Sequence, residues 1–273
     1  MTLQEFSLRG GGGLSATRVP AAWQSAGPRL GLALGGGAAL GAAHVGVLQA
    51  LHSHGVHPGI VTGTSAGALV GAAYAAGISV RTIERLVLDA QWSTFGQLTL
   101  SPRLGLFDSS ALATTINNLG GDPLIEDLPR RLGVVATDMR ERRAVVLKSG
   151  PLSTALRASI AVPGLFPPVI RDGRMLVDGG LAANLPIEAA RQMGATHVIA
   201  VRLRPEWERV PIVRSADAIG RMERESSTTL ISPDITEFSQ WSTSDVPHLI
   251  QAGREATERE LQRRMLPLAS IVA

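Results

Sequence analysis

Gly59-Ile60-Val61-Thr62-Gly63-Thr64-Ser65-Ala66-Gly67 carries an apolar run into a serine held between glycines, and then into the small, uncharged stretch Ala68 to Gly77. That order reads as a buried strand, a turn and a closely packed helix, the form of a nucleophile elbow. Gly63 and Gly67 permit a turn too tight for a Cβ on either side. The turn lifts the serine oxygen clear of the backbone and sets it at a helix N-terminus. Small-residue strings containing a serine also arise by chance in a chain with 30 glycines, so the pentapeptide gains its weight from its surroundings.

Upstream, Leu30 to Leu34 reads as a short strand, Gly35-Gly36-Gly37 as a turn and Ala38 to His54 as a helix. Leu30 to Leu51 and Gly59 to Val80 contain no Asp, Glu, Lys or Arg, and both exceed the roughly 18 residues that flag a membrane span. Glycines interrupt each of them, and strands covered on both faces are near-continuously apolar in α/β folds. Strand, turn and packed helix is therefore the better reading. Downstream, Val80 to Asp89 is amphipathic, with Ile83, Leu86 and Val87 opposite Arg81, Glu84 and Arg85. Residues 91–121 are irregular and read as a cap or loop-rich insertion.

Leu132 to Thr137 and Ala144 to Lys148 follow as strands around a charged connection, and Pro151 to Ser159 as a helix. The prolines of Pro163 to Pro168 predict an extended, rigid segment. Met175 to Val177 is a brief strand running into Asp178-Gly179-Gly180. Leu185 to Met193 is a helix with Gly194 as its C-terminal cap, and His197 to Leu203 is a final core strand. This alternation predicts an α/β fold: a mostly parallel central sheet with helices on both faces, in three layers. Residues 1–28 read as a flexible N-terminal tail and 29–273 as one domain.

The chain has 273 residues, 45% apolar and 18% charged, which is a globular composition with enough length for a sizeable core. It lacks cysteine, which excludes disulfides and thiolate metal sites. A net charge of +3 and only 4% aromatics give nucleic-acid binding little support. No export signal is visible, so the expected location is cytoplasmic, at most peripheral to a membrane. The apolar close Leu266 to Ala273 would touch a membrane or a second subunit, or dock on the domain.

Reactive groups of open α/β sheets gather where strands end and helices begin. Three such ends are chemically loaded: Gly35-Gly36-Gly37, Ser65 and Asp178. The glycine run leaves backbone N–H groups open to a phosphate or a transient oxyanion, and close packing explains it equally well. No Lys-Ser/Thr pair follows Gly41, and the first acid after the glycines is Glu84, which disfavours both nucleotide-loop patterns. His52, His54 and His57 cluster at a helix end, where solvated or capping roles are ordinary. His44 reads as a core residue or one supporting a site. Asp178 stands between Leu176-Val177 and two glycines, so its carboxyl is held at a strand end. An Asp-Gly turn is the plain alternative.

Gly35-Gly36-Gly37, Gly63-Thr64-Ser65-Ala66-Gly67 and Asp178-Gly179-Gly180, in this order, resemble the patatin-like phospholipase family. Gly41-Ala42-Ala43-His44-Val45-Gly46-Val47-Leu48, Ala136-Thr137-Asp138 and Ala158 to Pro168 resemble its flanking segments. The likeness runs from about Arg29 to Leu203, with a weaker echo in Ser232 to Ile235 and Leu249 to Ala256. It implies a serine lipid acyl hydrolase with a Ser–Asp dyad and an acyl-enzyme, acting on phospholipids, lysophospholipids or other acyl esters without metal or cofactor. By the same resemblance Ser65 is the nucleophile and Asp178 the base. The N–H groups of Gly36, Gly37 and Ala38 hold the oxyanion, with Ala66 a candidate further donor. Leu40 departs from the family, which usually has arginine there. That departure keeps open an alternative, a catalytically silent lipid-binding protein retaining the fold. An acyl chain needs an apolar cleft, and Trp92, Phe95, Leu98, Leu100, Leu104, Leu106 and Phe107 either line one or fill a core.

Overall fold

Leucine alternates with glycine and alanine along Leu30-Gly31-Leu32-Ala33-Leu34, and the two sets of side chains face different layers of helices. The computed structural model describes residues 29–91, 93, 97–98, 107–118, 121–203, 221–222 and 225–269. Its strands are β1 (Leu30–Leu34), β2 (Ile60–Thr64), β3 (Gln97–Leu98), β4 (Phe107–Asp108), β5 (Arg131–Asp138), β6 (Arg143–Leu147), β7 (Val169–Arg171), β8 (Arg174–Asp178), β9 (His197–Val201) and β10 (Thr228–Ile231). Its helices are α1 (Ala43–Ser53), α2 (Ala66–Ala75), α3 (Val80–Leu88), α4 (Ser110–Asn118), α5 (Leu152–Ser159), α6 (Gly180–Ala183), α7 (Ile187–Gln192) and α8 (Val246–Ala269). A 3₁₀ turn, Ala38–Ala42, leads into α1.

The central sheet is mixed and mostly parallel. Strands β10, β9, β1, β2 and β5 lie side by side in that order, all parallel. Beyond them β5 pairs antiparallel with β6 and β8, and β8 with β7. The registers along β5 fix where the pieces sit. Val134 and Val135 face β2 on one flank and β6 on the other, while Ala136 to Asp138 face β8 and β6. Strands β2 and β8 therefore share one flank of β5. They meet end to end, with Thr64 opposite Val135 and Asp178 opposite Ala136.

Leu30, Leu32 and Leu34 join the larger core beneath α1 and α2. On the other face Ala33 packs with Ile187 and Ala190 of α7. Gly31 lets α7 and the turn after it come close: a Cβ there would lie 2.8 Å from the Cβ of Ala195. Helices on both faces are what near-continuous apolar strands require. Helix α8 lies against α1, and their glycines make the crossing tight. A Cβ on Gly46 would lie 2.6 Å from the amide nitrogen of Arg254, and one on Gly253 would strike the Ala43 carbonyl. At the far end of α1, His54 is 3.4 Å from Glu258 of α8.

Strand and helix positions agree with the sequence reading to within a few residues, with several exceptions. Strands β3, β4, β7 and β10 and helices α4, α6 and α8 have no counterpart in it, with β3, β4 and α4 falling in the stretch 91–121 read as irregular. The segment Pro163 to Pro168 is not extended throughout: Gly164, with φ +85°, reverses the chain, and the N–H groups of Leu165 and Phe166 donate to Val162 O at 3.0 Å. Gly194 caps α7 as expected, with φ +96°. Residues 1–28 lie outside the described residues, as do 270–273 at the other end.

Candidate active site

Ser65 lies between β2 and α2 with φ 52° and ψ −120°. For a residue with a Cβ such backbone costs on the order of 1–3 kcal/mol and persists only where the surroundings enforce it. Those surroundings are visible. A Cβ on Gly67 would collide with the carbonyl oxygens of Leu34 and Gly35, and one on Gly63 would lie 2.6 Å from the amide nitrogen of Ala68. The N–H groups of Ala68 and Leu69 donate back to Ser65 O at 2.9 and 3.2 Å. Below the turn, the Ser65 N–H donates to Ser159 Oγ at 2.8 Å, and the Ser159 hydroxyl donates to Val135 O at 2.6 Å.

Asp178 arrives from the opposite direction, at the end of β8. Its Oδ1 accepts the Gly180 N–H at 2.7 Å, while Oδ2 is buried without a hydrogen-bond partner. Burial pushes this carboxyl up to about 6, against the lowering pull of the Gly180 N–H and the Ser65 hydroxyl. The two side chains are thus neighbours, with no closed hydrogen bond between them. Gly179 allows the approach, since a Cβ there would strike Val135 O.

The glycine loop lies over both. A Cβ on Gly36 would be 3.4 Å from Ser65 Cβ and 2.6 Å from Asn184 Oδ1. The loop is pinned by its own amides: Gly35 N–H donates to Val201 O at 3.0 Å, Gly36 to Asn184 O at 3.1 Å and Ala39 to Gln240 O at 3.0 Å. Gly36, expected among the oxyanion donors, therefore has its N–H already committed. The N–H groups of Gly37 and Ala38 take no acceptor among the described residues, and both residues line the cavity.

His44 holds the loop from beneath. It is fully buried, and its Nε2 lies 2.8 Å from Gly35 O. Burial lowers its pKa to about 4, so at neutral pH the ring is uncharged and Nε2–H is the donor. Leu40, in the family's arginine position, is fully buried in the larger core. A side chain so placed supplies packing where arginine would bring a cation.

Ser65, Asp178 and the loop open on one cavity of about 860 Å³. Its walls are apolar, with Leu69 and Ala73 from α2, Ile83 and Val87 from α3, and Leu152 and Leu156 from α5. Of the side chains expected in a cleft, Trp92, Phe95, Leu100, Leu104 and Leu106 lie outside the described residues, as do the side chains of Leu98 and Phe107. From that stretch of chain, Leu112 and Ile116 of α4 line the cavity.

Sequence reasoning missed Ser159 and Asn184. Both are buried beside the reactive groups, yet a serine after alanine and an asparagine before leucine carry no signal of their own. Among the described residues no group of three His, Cys, Asp or Glu side chains is placed to hold a metal ion. A hydroxyl on a strained turn, a carboxyl with a raised pKa and unclaimed amides, all facing an apolar space, are the parts that acyl transfer needs.

Known proteins share sequence and fold with this chain. The chain is 37% identical over 216 residues to an uncharacterized NTE family protein of Mycobacterium tuberculosis, covering 74% of this chain and 58% of that protein. It is 40% identical over 185 residues to human patatin-like phospholipase domain-containing protein 6, covering 64% of this chain and 13% of that protein. The chain thus spans little more than half the length of the mycobacterial relative. Among solved structures, VipD from Legionella pneumophila superposes with a TM-score of 0.53 at 16% identity, covering 87% of this chain and 67% of VipD, a likeness of fold. The sequence profile of the patatin-like phospholipase family matches residues 32–191. By that match and the folded arrangement of its three motifs, the chain belongs to the patatin-like phospholipase family.

Proposed function

We propose that the protein is a serine lipid acyl hydrolase that cleaves carboxylic esters through Ser65 and Asp178. The observation that carries this reading is the buried Asp178 carboxyl, raised to about 6 and next to the Ser65 hydroxyl at the floor of an apolar cavity. A carboxylate at its ordinary pKa near 4 is a feeble base at neutral pH. Burial makes this one stronger while leaving it mostly ionised at pH 7.

Ser65 Oγ attacks the ester carbonyl carbon as its proton passes to Asp178. The carbonyl oxygen becomes an oxyanion, received by the N–H groups of Gly37 and Ala38, with Gly36 shaping the loop. The bond to the leaving oxygen then breaks, the alcohol takes the proton from Asp178, and an acyl-Ser65 ester remains. Water gives a proton to Asp178 and attacks that ester. Collapse releases the carboxylic acid and returns the proton to Ser65. The apolar walls suit a long acyl chain of a phospholipid, lysophospholipid or other ester, and no step requires a metal or cofactor.

The test is covalent and kinetic together. A fluorophosphonate probe should label Ser65 in the full chain, and Ser65→Ala should abolish both labelling and hydrolysis of p-nitrophenyl butyrate. Asp178→Asn should lower turnover by at least a thousandfold. Labelling that persists in Ser65→Ala, or wild-type turnover in Asp178→Asn, would overturn the reading. A folded protein that neither labels nor turns over esters would favour the lipid-binding alternative that buried Leu40 keeps open.

A further inference from the structure

The antiparallel part of the sheet reaches past the reactive groups. Thr64 is level with Val135, and β5 continues to Asp138 before turning. At about 3.3 Å per residue, Met139 stands roughly 13 Å beyond the level of Thr64. The β7–β8 turn reaches as far, because Leu176 pairs with Asp138 and the Met139 N–H donates to Met175 O at 2.9 Å. Two hairpin tips thus project side by side from the sheet edge at which Ser65 and Asp178 lie.

What the tips expose is unusual. Ile170 pairs with Met175 across β7 and β8, and Met175 lies beside Met139. Cross-strand neighbours share a face, so the three form one row. That row points away from the core, because Val169, Leu176 and Asp138 in the adjacent register position are buried. Ile170 is 66% exposed, Met139 49% and Met175 44%. These are three of six large apolar side chains recorded as exposed among the described residues. A single exposed leucine or methionine is ordinary, but three in a row is a patch.

The surroundings of the row are basic. Arg140, Arg142, Arg143 and Arg174 are exposed at the same tips, with Arg171 half-buried beside them. The acids are fewer and partly occupied. Asp138 is buried, accepts the N–H groups of Arg140 and Glu141 at 3.0 and 3.1 Å and lies 3.8 Å from Arg174. Asp172 lies 3.4 Å from Arg171, which leaves Glu141 facing the remaining arginines. Between the tips a depression of about 600 Å³ is lined by Arg140, Arg143, Arg174, Met139, Met175 and Glu141, among others. The rim of the large cavity adds Trp241, 54% exposed.

We propose that the paired tips of the β5–β6 and β7–β8 hairpins dock the protein on an anionic lipid surface. Ile170, Met175 and Met139 enter the interface, and Arg140, Arg142, Arg143 and Arg174 face the lipid phosphates. Apolar side chains ringed by cations are complementary to the boundary between acyl chains and anionic headgroups. The edge that carries Ser65 is thereby brought to the layer where acyl esters reside. The choice of lipid as partner rests on the proposed hydrolase function, but the docking itself does not need catalysis.

The test uses the full chain carrying Ser65→Ala, so that nothing is hydrolysed, sedimented with phosphatidylglycerol or phosphatidylcholine vesicles. Binding should be at least tenfold tighter to phosphatidylglycerol and should fall steeply with salt. Met139→Glu/Ile170→Glu/Met175→Glu and, separately, Arg140→Gln/Arg142→Gln/Arg143→Gln should each weaken it at least tenfold. In the Ser65 background, both sets should leave hydrolysis of monomeric p-nitrophenyl butyrate unchanged. If the triple glutamate variant does not fold, the glutamine set decides alone. Equal binding by wild type and variants, or none to either vesicle, would overturn the proposal. So would a dimer that the triple glutamate variant converts to monomer in light scattering, because the patch would then be a self-contact. Failure of fluorophosphonate labelling would count against the hydrolase reading alone.

Discussion

The Ser159 hydroxyl accepts the Ser65 N–H at 2.8 Å and donates to Val135 O at 2.6 Å. One buried side chain therefore ties the strained turn to the strand beneath it. Ser159 is fully buried, so its removal leaves both backbone groups without water to replace it.

Ser159→Ala is expected to cost about 1–3 kcal/mol of stability, the penalty for stranded buried hydrogen-bonding groups. Turnover should fall more than tenfold with a smaller change in KM, because the loss is in the aim of Ser65 rather than in the cavity. Urea melts and steady-state kinetics on the same protein check this. Wild-type kcat with lowered stability would reduce Ser159 to a packing residue.

The raised pKa of Asp178 has two consequences with opposite practical sign. Its folded value is about 6 against an ordinary 3.8. Activity that requires the carboxylate should therefore rise with pH through about 6. Stability runs the other way. The buried acid is favourable in its neutral form at low pH, and that advantage is lost as pH climbs from 3.8 through 6. Asp178→Asn should thus be inactive yet more stable than wild type above pH 7, by up to about 3 kcal/mol on the basis of 1.36 kcal/mol per pH unit. At pH 4 the difference should be nearly gone. Thermal melts at pH 4 and pH 8 test the sign.

His44 titrates in the opposite sense. Burial lowers it to about 4 from 6.5, so its contribution is present above pH 6.5 and fades as pH drops toward 4. The whole effect is at most about 3 kcal/mol by linkage. His44→Gln keeps an N–H for Gly35 O and should flatten that part of the acid unfolding profile while retaining activity. His44→Ala strands the Gly35 carbonyl and leaves a void, and should lose both stability and turnover. Acid titration followed by circular dichroism distinguishes the two variants.

Gly36→Ala adds one methyl group at the closest approach between the loop and the nucleophile. That methyl would sit 2.6 Å from Asn184 Oδ1 and 3.4 Å from Ser65 Cβ. The Asn184 side-chain amide, packed beside Asp178 and Gly180, must move. A fall of at least tenfold in kcat is expected, with a modest change in melting temperature. Unchanged kinetics would show that the loop has slack there.

Much of this was legible in the residues themselves. Gly63, Ser65 and Gly67 announced the turn because only glycine fits where a Cβ would strike neighbouring carbonyls. Leu30 to Leu34 and His197 to Val201 announced central strands because both faces of the sheet are covered. Strand β7 was hidden because three residues between a proline pair and an Asp-Gly turn carry too little pattern. Helix α8 was hidden by its charge: one side packs on α1 through Gly253, while arginine, glutamate and glutamine recur along its middle and blur the apolar pattern. Ser159 and Asn184 act through hydrogen bonds to partners far away in the sequence, which no local spacing encodes. The commitment of the Gly36 amide is likewise a fact of three-dimensional neighbours.

Strand β5 works as a ruler. Because β2 and β8 abut along one of its flanks, two consecutive positions, Val135 and Ala136, set the offset between Ser65 and Asp178. A shift of either strand by one register position would turn its reactive side chain to the opposite face of the sheet. Chain length between the two strands is a separate matter, and loops there can grow or shrink without disturbing the alignment. Evolutionary change in this scaffold should therefore be tolerated in the connections and resisted in a single stretch, Val134-Val135-Ala136-Thr137, that performs no chemistry at all.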